Sequence, residues 1–324
     1  MQIPFGKELV KFSFKDKQAE QELGLLFSGW MGADGRHVVA RSIPLSKKLI
    51  RFDLVVLRAT GDPPAGSRLI FMDRSSLTSV YQSDHSWFIE FGSEAIARIP
   101  IEAGNETEPV IEVQIARAAT FASRLEDIVF SSLAPVLRRR GCFMIHAFAA
   151  VKDGKALLLI GESGSGKTTT GLSLVGQGWL YLANDMVLVA EQNGSIVALP
   201  TPGGIRLTAE SVALLPGLSI LQDELWGVGK RFYPATSLVE GWATPAPVAR
   251  ILFPTLSDSD SISLQQQPRS ITLARLMEGS LDRWDTDCLK GHSKLLGTLS
   301  EQAEGFDLKL GRKLKMLPDV LDRA

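Results

Sequence analysis

Hydrophobic residues in the first third of the chain occur in short runs that are rich in β-branched and aromatic side chains. Such runs predict β-strands, and the clusters of Gly, Pro, Asp and Ser between them predict turns. The runs begin at Leu49, Arg68, Ser86 and Val110. Residues 1–121 are therefore predicted to form a β-rich N-terminal domain, whose role the sequence leaves open.

The hydrophobic pattern changes near residue 122. Apolar residues recur at helical spacing from Leu125 to Leu137, and basic residues then precede Gly141, as at the C-terminus of a helix. We interpret Arg138 to Arg140 as a solvated helix end, with a phosphate- or partner-binding patch as the alternative. Strand-like and helix-like segments then alternate, which predicts an α/β domain over residues 122–324.

Length, composition and charge narrow the class of protein. A chain of 324 residues with 45% hydrophobic and 22% charged residues is typical of a globular protein with two domains. A net charge of −1 does not favour nucleic acid or an anionic membrane as a partner. We find no apolar run of the ~18 residues that cross a bilayer and no signal-peptide core. Two cysteines, Cys142 and Cys288, fit a reducing, cytoplasmic location.

One motif carries most of the functional information. Residues 161–168 match the P-loop pattern, in which backbone N–H groups and a helix N-terminus bind phosphate oxygens. The motif follows an apolar strand, Ala156 to Ile160, and opens a predicted helix, as a P-loop requires. The predicted ATP-binding residues are Gly161, Glu162, Ser163, Gly164, Ser165, Gly166, Lys167 and Thr168. Lys167 would bind the β- and γ-phosphates, and the Thr168 hydroxyl would bind Mg²⁺.

Two further residues could carry chemistry. Asp185 follows the next predicted strand, where it could accept a proton from a substrate hydroxyl or hold a metal ion through water. Its alternative is a turn residue, because Asn184 and Asp185 together also favour a turn. His146 interrupts the apolar strand before the P-loop strand. A lone histidine there is either a hydrogen-bonded core residue or an active-site residue.

These blocks, from Phe143 to Ala147, from Gly161 to Thr168 and from Gly178 to Asp185, resemble the HPr kinase/phosphorylase family. The resemblance implies a C-terminal α/β P-loop domain similar to HPr kinase and phosphoenolpyruvate carboxykinase. It also implies a serine-hydroxyl kinase that uses ATP and Mg²⁺, with Asp185 as general base and metal-site residue. By the same resemblance, Lys167 and His146 would be active-site residues beside the phosphates.

The sequence departs from that family's pattern at three points. Asn184 stands where the family has a second aspartate, Thr169 stands where an acidic residue follows the P-loop hydroxyl, and the glycine-rich signature lacks a clear counterpart. These differences weaken the expectation of phosphorylase activity and of HPr as the substrate. We expect Asn184→Asp to be tolerated, because it would restore the family's second carboxylate.

The predicted function is an ATP-dependent kinase acting on a hydroxyl, with serine favoured, of a protein, peptide or small metabolite. Basic residues at Arg206, Lys230 and Arg231 could bind substrate or phosphate, or could be solvated loop residues. Two alternatives are an ATP-binding regulatory protein with little or no catalysis and an unrelated small-molecule P-loop kinase. The sequence leaves the phosphoacceptor and homo-oligomerisation open.

Overall fold

The computed structural model describes residues 1–28, 49–74, 76–102, 108–215, 217–218, 229–280, 282–311 and 313–323. Its contacts divide the chain into two compact units. The first unit contains Met1–Phe143 and Asp282–Cys288, and the second unit contains Met144–Leu281 and Leu289–Ala324. The domain boundary at residue 122 and the domain roles stay predictions. No helix in the described part of the chain is long and apolar enough to span a membrane.

The first unit is built around an eight-stranded sheet. Its strands are β1 (Gln2–Phe5), β2 (Glu8–Phe14), β3 (Leu49–Leu57), β4 (Arg68–Asp73), β5 (Thr78–Gln82), β6 (Ser86–Phe91), β7 (Ala95–Pro100) and β8 (Val110–Ala116). They lie in the order β1-β2-β3-β8-β7-β6-β5-β4. Strand β3 runs parallel to β2 and β8, and the other neighbours are antiparallel, so the sheet is mixed. The helices are α1 (Lys17–Leu26), α2 (Ala122–Arg139) and a 3₁₀ turn (Arg117–Ala119).

The arginines at the end of α2 are buried in ion pairs. Arg139 donates to both carboxylate oxygens of Asp285, at 2.8 and 2.9 Å, and Arg138 donates to the same carboxylate at 2.9 Å. The Arg138 guanidinium lies 5.2 Å from the ring centroid of Trp284, and that of Arg139 lies 4.2 Å from Trp87. The interpretation of a solvated helix end is therefore wrong for these two residues, because residues 282–288 cover them.

The electrostatics of this cluster depend on Asp285, which is 2% exposed. Burial alone would raise the pKa of its carboxyl group. Hydrogen bonds from Arg139 and Arg138, together with their positive charges, outweigh that effect and hold the pKa below its ordinary value. Asp285 is therefore expected to stay ionised and to stabilise the fold at neutral pH.

We predict that Asp285→Asn lowers the free energy of unfolding by about 3–5 kcal/mol at neutral pH, because Arg138 and Arg139 lose the buried carboxylate that they share. The folded-state pKa is lowered, so this stabilisation is complete above the unfolded pKa of ~3.9 and is lost as the pH falls through the folded value. The difference between variant and wild type should thus shrink below about pH 4. Urea unfolding of both proteins at neutral and acidic pH measures this difference in the free energy of unfolding.

The control for this prediction is Asp287→Asn. The Asp287 carboxylate lies 3.5 Å from Arg139 but is 74% exposed, so its loss should have little effect on stability. Equal destabilisation by the two variants would contradict the assignment of Asp285 as the central partner.

The second unit and the segments leading into it contain another mixed sheet. Its strands are β9 (Cys142–Lys152), β10 (Lys155–Ile160), β11 (Leu180–Ala183), β12 (Met186–Gln192), β13 (Ser195–Leu199), β16 (Ala246–Leu256), β17 (Ser263–Gln266) and β18 (Glu304–Leu310). Seven of them lie in the order β10-β9-β12-β13-β16-β18-β17, and β11 pairs with β9. Strand β10 also pairs with β16, so the five strands β10, β9, β12, β13 and β16 form a closed ring of pairings. Strands β14 (Gly204–Leu207) and β15 (Arg231–Pro234) form a separate two-stranded sheet.

Helices connect these strands, and two tight hairpins fix their register. The helices are α3 (Lys167–Val175), α4 (Ala209–Ala213), α5 (Arg269–Ser280), α6 (Thr286–Gln302) and α7 (Leu317–Asp322), with 3₁₀ turns at Ala235–Ser237 and Leu314–Met316. Asp153 and Gly154 join β9 to β10, and Asn193 and Gly194 join β12 to β13. All four residues have positive φ, as a two-residue type I′ turn requires. Asp-Gly and Asn-Gly are sequence pairs that favour this turn, so the sequence predicts both hairpins, and the structure confirms them.

Helix α3 packs directly on β9 at one glycine. A Cβ atom added to Gly171 would lie 2.2 Å from the ring of Phe148, which is fully buried. Residue 171 therefore has to be glycine for the helix to approach the strand this closely. The contact sets the position of the N-terminus of α3 and of the loop before it.

We predict that Gly171→Ala lowers the free energy of unfolding by about 1–3 kcal/mol, the usual effect of overpacking a core. Gly279→Ala in α5 is the matched control, because nothing lies within 4 Å of its added Cβ and alanine favours the helix. Denaturant unfolding of both variants measures the difference. If Gly171→Ala were as stable as Gly279→Ala, the close approach of α3 to β9 would be refuted.

Candidate nucleotide-binding site

The loop over residues 161–166 joins β10 to α3, as the P-loop pattern predicts. Gly164 and Gly166 have φ angles of 87° and 94°, which residues with a side chain adopt only with strain. Gly166 is the N-cap of α3, so the helix begins at Lys167. The first backbone N–H groups of the helix have no acceptor within the helix. The positive end of the helix dipole therefore meets the glycine loop, which is the usual arrangement for binding phosphate.

The side chain of Lys167 lies within this loop. Its Nζ donates to the backbone oxygens of Gly161 at 2.6 Å and Glu162 at 2.9 Å, and the residue is 6% exposed. Burial lowers the pKa of Lys167, the positive charge of Lys230 adds to that effect, and Asp185 opposes it. The loop carbonyls thus hold a cation at the place where phosphate oxygens would enter.

Asn184 and Asp185 form the turn that follows β11. Asp185 has a φ of 60°, a left-handed conformation that aspartate and asparagine adopt more readily than most residues. The hydroxyl of Thr168 donates to Oδ1 of Asn184 at 3.1 Å, and Nδ2 of Asn184 donates to the carbonyl of Gly204 at 3.1 Å. Asn184 therefore connects the start of α3 with the start of β14.

His146 lies in β9, beside the same turn. The backbone N–H of Ala147 donates to the carbonyl oxygen of Asp185 at 3.2 Å, which ties the turn to this strand. Burial lowers the pKa of His146, and the charge of Lys167 lowers it further, whereas Asp185 raises it. The charges of Lys167 and Asp185 both act on His146, so these three side chains lie within electrostatic range of one another.

The three predicted basic residues do not form one cluster. Lys230 lies at the loop, where its Nζ is 3.3 Å from the hydroxyl of Ser163. Arg206 lies opposite Phe232 and Arg231 lies opposite Leu207 in the two-stranded sheet. Directly opposed residues share a face and successive residues alternate, so the two arginine side chains leave opposite faces.

The residues of the loop fit a bound polyphosphate. The hydroxyl of Ser165 is buried and has no hydrogen-bond partner among the described residues, so a donor remains for a phosphate oxygen. A Cβ at Gly161 would lie 2.8 Å from that hydroxyl and would fill the loop interior.

Within the described ranges, no group of three or more His, Cys, Asp or Glu could hold a metal ion. The sequence predicts that a metal ion would instead be bound by the Thr168 hydroxyl and by Asp185, together with the nucleotide phosphates.

Sequence reasoning did not find the contacts of Asn184. The sequence indicated only an asparagine beside the predicted base, in a favourable turn. Its two hydrogen bonds depend on Thr168 and Gly204, which lie in other elements. The bond between Thr169 and Ser211, at 2.9 Å, was likewise not readable from spacing.

Part of the chain is similar in sequence to known proteins. No protein-family model matches the chain. Curated relatives include an HPr kinase/phosphorylase from Bacillus pumilus, 30% identical over 141 residues, which are 43% of this chain and 42% of the relative. Another is the HPr kinase/phosphorylase from Caldicellulosiruptor bescii, 31% identical over 110 residues, or 34% of this chain and 32% of the relative. The chain therefore spans less than half the length of the curated relatives it matches.

One solved structure that the chain resembles is the Hpr(Ser) kinase/phosphatase from Coxiella burnetii. The TM-score is 0.31 and the sequence identity is 14%, over 56% of this chain and 93% of that chain. The curated matches confirm the resemblance that the sequence motifs indicated: over the matched residues, this chain is similar to HPr kinase/phosphorylases.

We predict that Gly166→Ala weakens ATP binding by roughly tenfold or more, because strain of ~1–3 kcal/mol at a positive φ would distort the loop. Its added Cβ would also lie 2.9 Å from Leu310. Gly164→Ala, which has a similar φ but nothing within 4 Å of its Cβ, should weaken binding less. Titration calorimetry with ATP compares the two variants, and equal affinities would contradict the packing role of Gly166.

Proposed function

We propose that this protein is an ATP-dependent phosphotransferase that transfers the γ-phosphoryl group of ATP to a hydroxyl, with serine as the favoured acceptor. The observation that carries the proposal is that Lys167 lies in a glycine loop that opens helix α3, while the turn at Asp185 is bonded to the strand of His146. Phosphoryl transfer to a hydroxyl is commonly assisted by a cation that binds the phosphates and by a carboxylate that accepts the hydroxyl proton.

The loop would hold the nucleotide through its backbone N–H groups and through Lys167. On phosphate binding, the Lys167 ammonium can exchange its bonds to Gly161 and Glu162 for bonds to phosphate oxygens. Lys230 adds a second positive charge on the outer side, beside Ser163. Mg²⁺, when bound through the Thr168 hydroxyl and near Asp185, would neutralise charge on the phosphates.

Asp185 would accept the proton of the substrate hydroxyl. A carboxylate can take that proton and the neighbouring Asn184 amide cannot, because a primary amide is not a base at neutral pH. His146, close to Asp185 and held neutral by burial and by Lys167, would then be a polar neighbour of the base. We assign no proton-transfer step to His146.

The matched relatives support the class of reaction. They are named HPr kinase/phosphorylase, which favours a kinase whose acceptor is a protein. Because the matches cover less than half of each relative, the acceptor proposed here remains a protein, peptide or small metabolite. Asn184 and Thr169, where the family has acidic residues, favour kinase over phosphorylase activity.

A second candidate function is ATP binding that regulates a partner, with little or no catalysis. Asn184 favours it, because the amide removes one carboxylate from the metal and base region and is engaged in two hydrogen bonds. The two functions differ in turnover. A regulator would bind ATP without transferring phosphate to any acceptor, whereas a kinase would be stimulated by the right hydroxyl.

We predict that Asp185→Asn cuts phosphoryl transfer by ~10²–10⁴, the usual effect of removing a positioned general base. ATP affinity should stay largely intact, because Lys167 and the loop remain. The assay follows labelled γ-phosphate from ATP into seryl peptides, free serine and the proteins of a cell extract. Nucleotide affinity is measured separately by calorimetry.

Lys167→Ala is the control that removes both binding and transfer. Transfer at the wild-type rate by Asp185→Asn would eliminate Asp185 as the base. ATP binding by the wild type with no transfer to any of the acceptors would favour the regulator. A variant that loses only Mg²⁺-dependent nucleotide binding would make Asp185 a metal ligand instead.

A further inference from the structure

We infer that Asn184 is a positioning residue, whose amide holds the Thr168 hydroxyl with its oxygen lone pairs available to a cation bound with the nucleotide. This inference rests on the proposed nucleotide site. The chain uses an amide here for a geometric reason, and a carboxylate would not replace it. The contacts of Asn184 with Thr168 and Gly204 carry the inference.

The orientation of the Asn184 amide is fixed by chemistry. The Gly204 carbonyl oxygen can only accept a hydrogen bond, so the atom that faces it at 3.1 Å has to be the NH₂ group of Asn184. The amide oxygen then has to face the Thr168 hydroxyl, which is also 3.1 Å away. An amide oxygen accepts and does not donate, so the Thr168 hydroxyl is the donor in this bond.

The hydrogen bond to Asn184 determines whether the proton or the lone pairs of the Thr168 hydroxyl are available to a ligand. A hydroxyl has one proton and two lone pairs, and the proton of Thr168 is taken by Asn184. The lone pairs of its oxygen are left for a hard cation such as Mg²⁺, which binds oxygen ligands in a demanding geometry. A freely rotating hydroxyl would present its proton to the cation part of the time and would be a weaker ligand.

The surroundings of Asn184 make this orientation persistent. The residue is 3% exposed, so water does not compete readily for either bond. One bond reaches the first turn of α3 and the other reaches the start of β14, whose partner β15 follows the loop-contacting Lys230. The amide therefore couples the hydroxyl to two separate elements of the fold.

An aspartate at position 184 could keep only one of these bonds. Its second carboxylate oxygen would face the Gly204 carbonyl, and two acceptors at about 3 Å repel each other unless the acid retains its proton. This conclusion differs from the sequence-based expectation that Asn184→Asp would be tolerated. The structure indicates that an amide, which donates on one side and accepts on the other, satisfies both neighbours.

The experiment measures ATP affinity by calorimetry with excess Mg²⁺ and with EDTA, in the full-length protein. In wild type, Mg²⁺ should raise the affinity. Asn184→Leu should reduce that Mg²⁺-dependent gain by roughly fivefold, the usual worth of one hydrogen bond, and should change the affinity in EDTA by less than about twofold. Thr168→Val should lose at least as much of the gain, and Thr168→Ser, which keeps the hydroxyl, should retain it.

A double variant tests whether the two residues act together. If Asn184 acts through Thr168, adding Asn184→Leu to Thr168→Val should cause no further loss of the Mg²⁺-dependent gain. Thr201→Val is the matched control. Thr201 is also buried and its hydroxyl bonds the backbone of Leu188 and Leu199, so this variant should lower stability and keep the Mg²⁺-dependent gain.

Three results would overturn the inference: a full Mg²⁺-dependent gain in Asn184→Leu, equal losses in EDTA and in Mg²⁺, or additive losses in the double variant. Absence of any gain in wild type would overturn it as well. Asn184→Ser, which also breaks the geometry of both bonds, replaces Asn184→Leu if the latter does not fold. A wild type that binds Mg²⁺ and ATP as described without transferring phosphate would refute the proposed function and leave this inference standing.

Discussion

The close packing of α3 on β9 is the constraint on which the site depends. Because residue 171 has no side chain, the helix lies against the ring of Phe148 and cannot shift along the strand without opening the core. The same strand carries His146, pairs with β11 and bonds the turn at Asp185. One strand therefore fixes the helix after the glycine loop, the histidine and the carboxylate relative to one another.

The site contains a buried lysine whose charge is stabilised by a small number of polar groups. Lys167 is removed from water but bonded to two loop carbonyls, which compensate for its desolvation. Only one of the two residues in the turn after β11 is acidic, so the negative charge is concentrated on Asp185. The Asn184 amide accepts a hydrogen bond from Thr168 and donates one to Gly204, and an amide is not a base at neutral pH. Asp185 is therefore the residue of this turn that can accept a proton.

Much of this arrangement could be predicted from the sequence because it is local. The glycine loop, the helix after it and the two hairpins depend on glycines and turn residues that are adjacent in the chain, and the structure contains all of them. The burial of Arg138 and Arg139 could not be predicted, because their partner Asp285 is far away in sequence. The faces of Arg206 and Arg231 depend on strand register, and the bonds of Asn184 depend on three separate elements, so neither followed from spacing.

We propose that the terminal phosphates of a bound nucleotide lie at Lys167 and beside Asp185. An ATP analogue with an acyl phosphate at its terminal phosphate acylates lysines that lie next to that position, and peptide mass spectrometry then locates the label. We predict labelling of Lys167 or Lys230 in the native protein, abolished by an excess of unmodified ATP. Labelling confined to other lysines, or labelling of these two that ATP does not reduce, would contradict the assignment of the site.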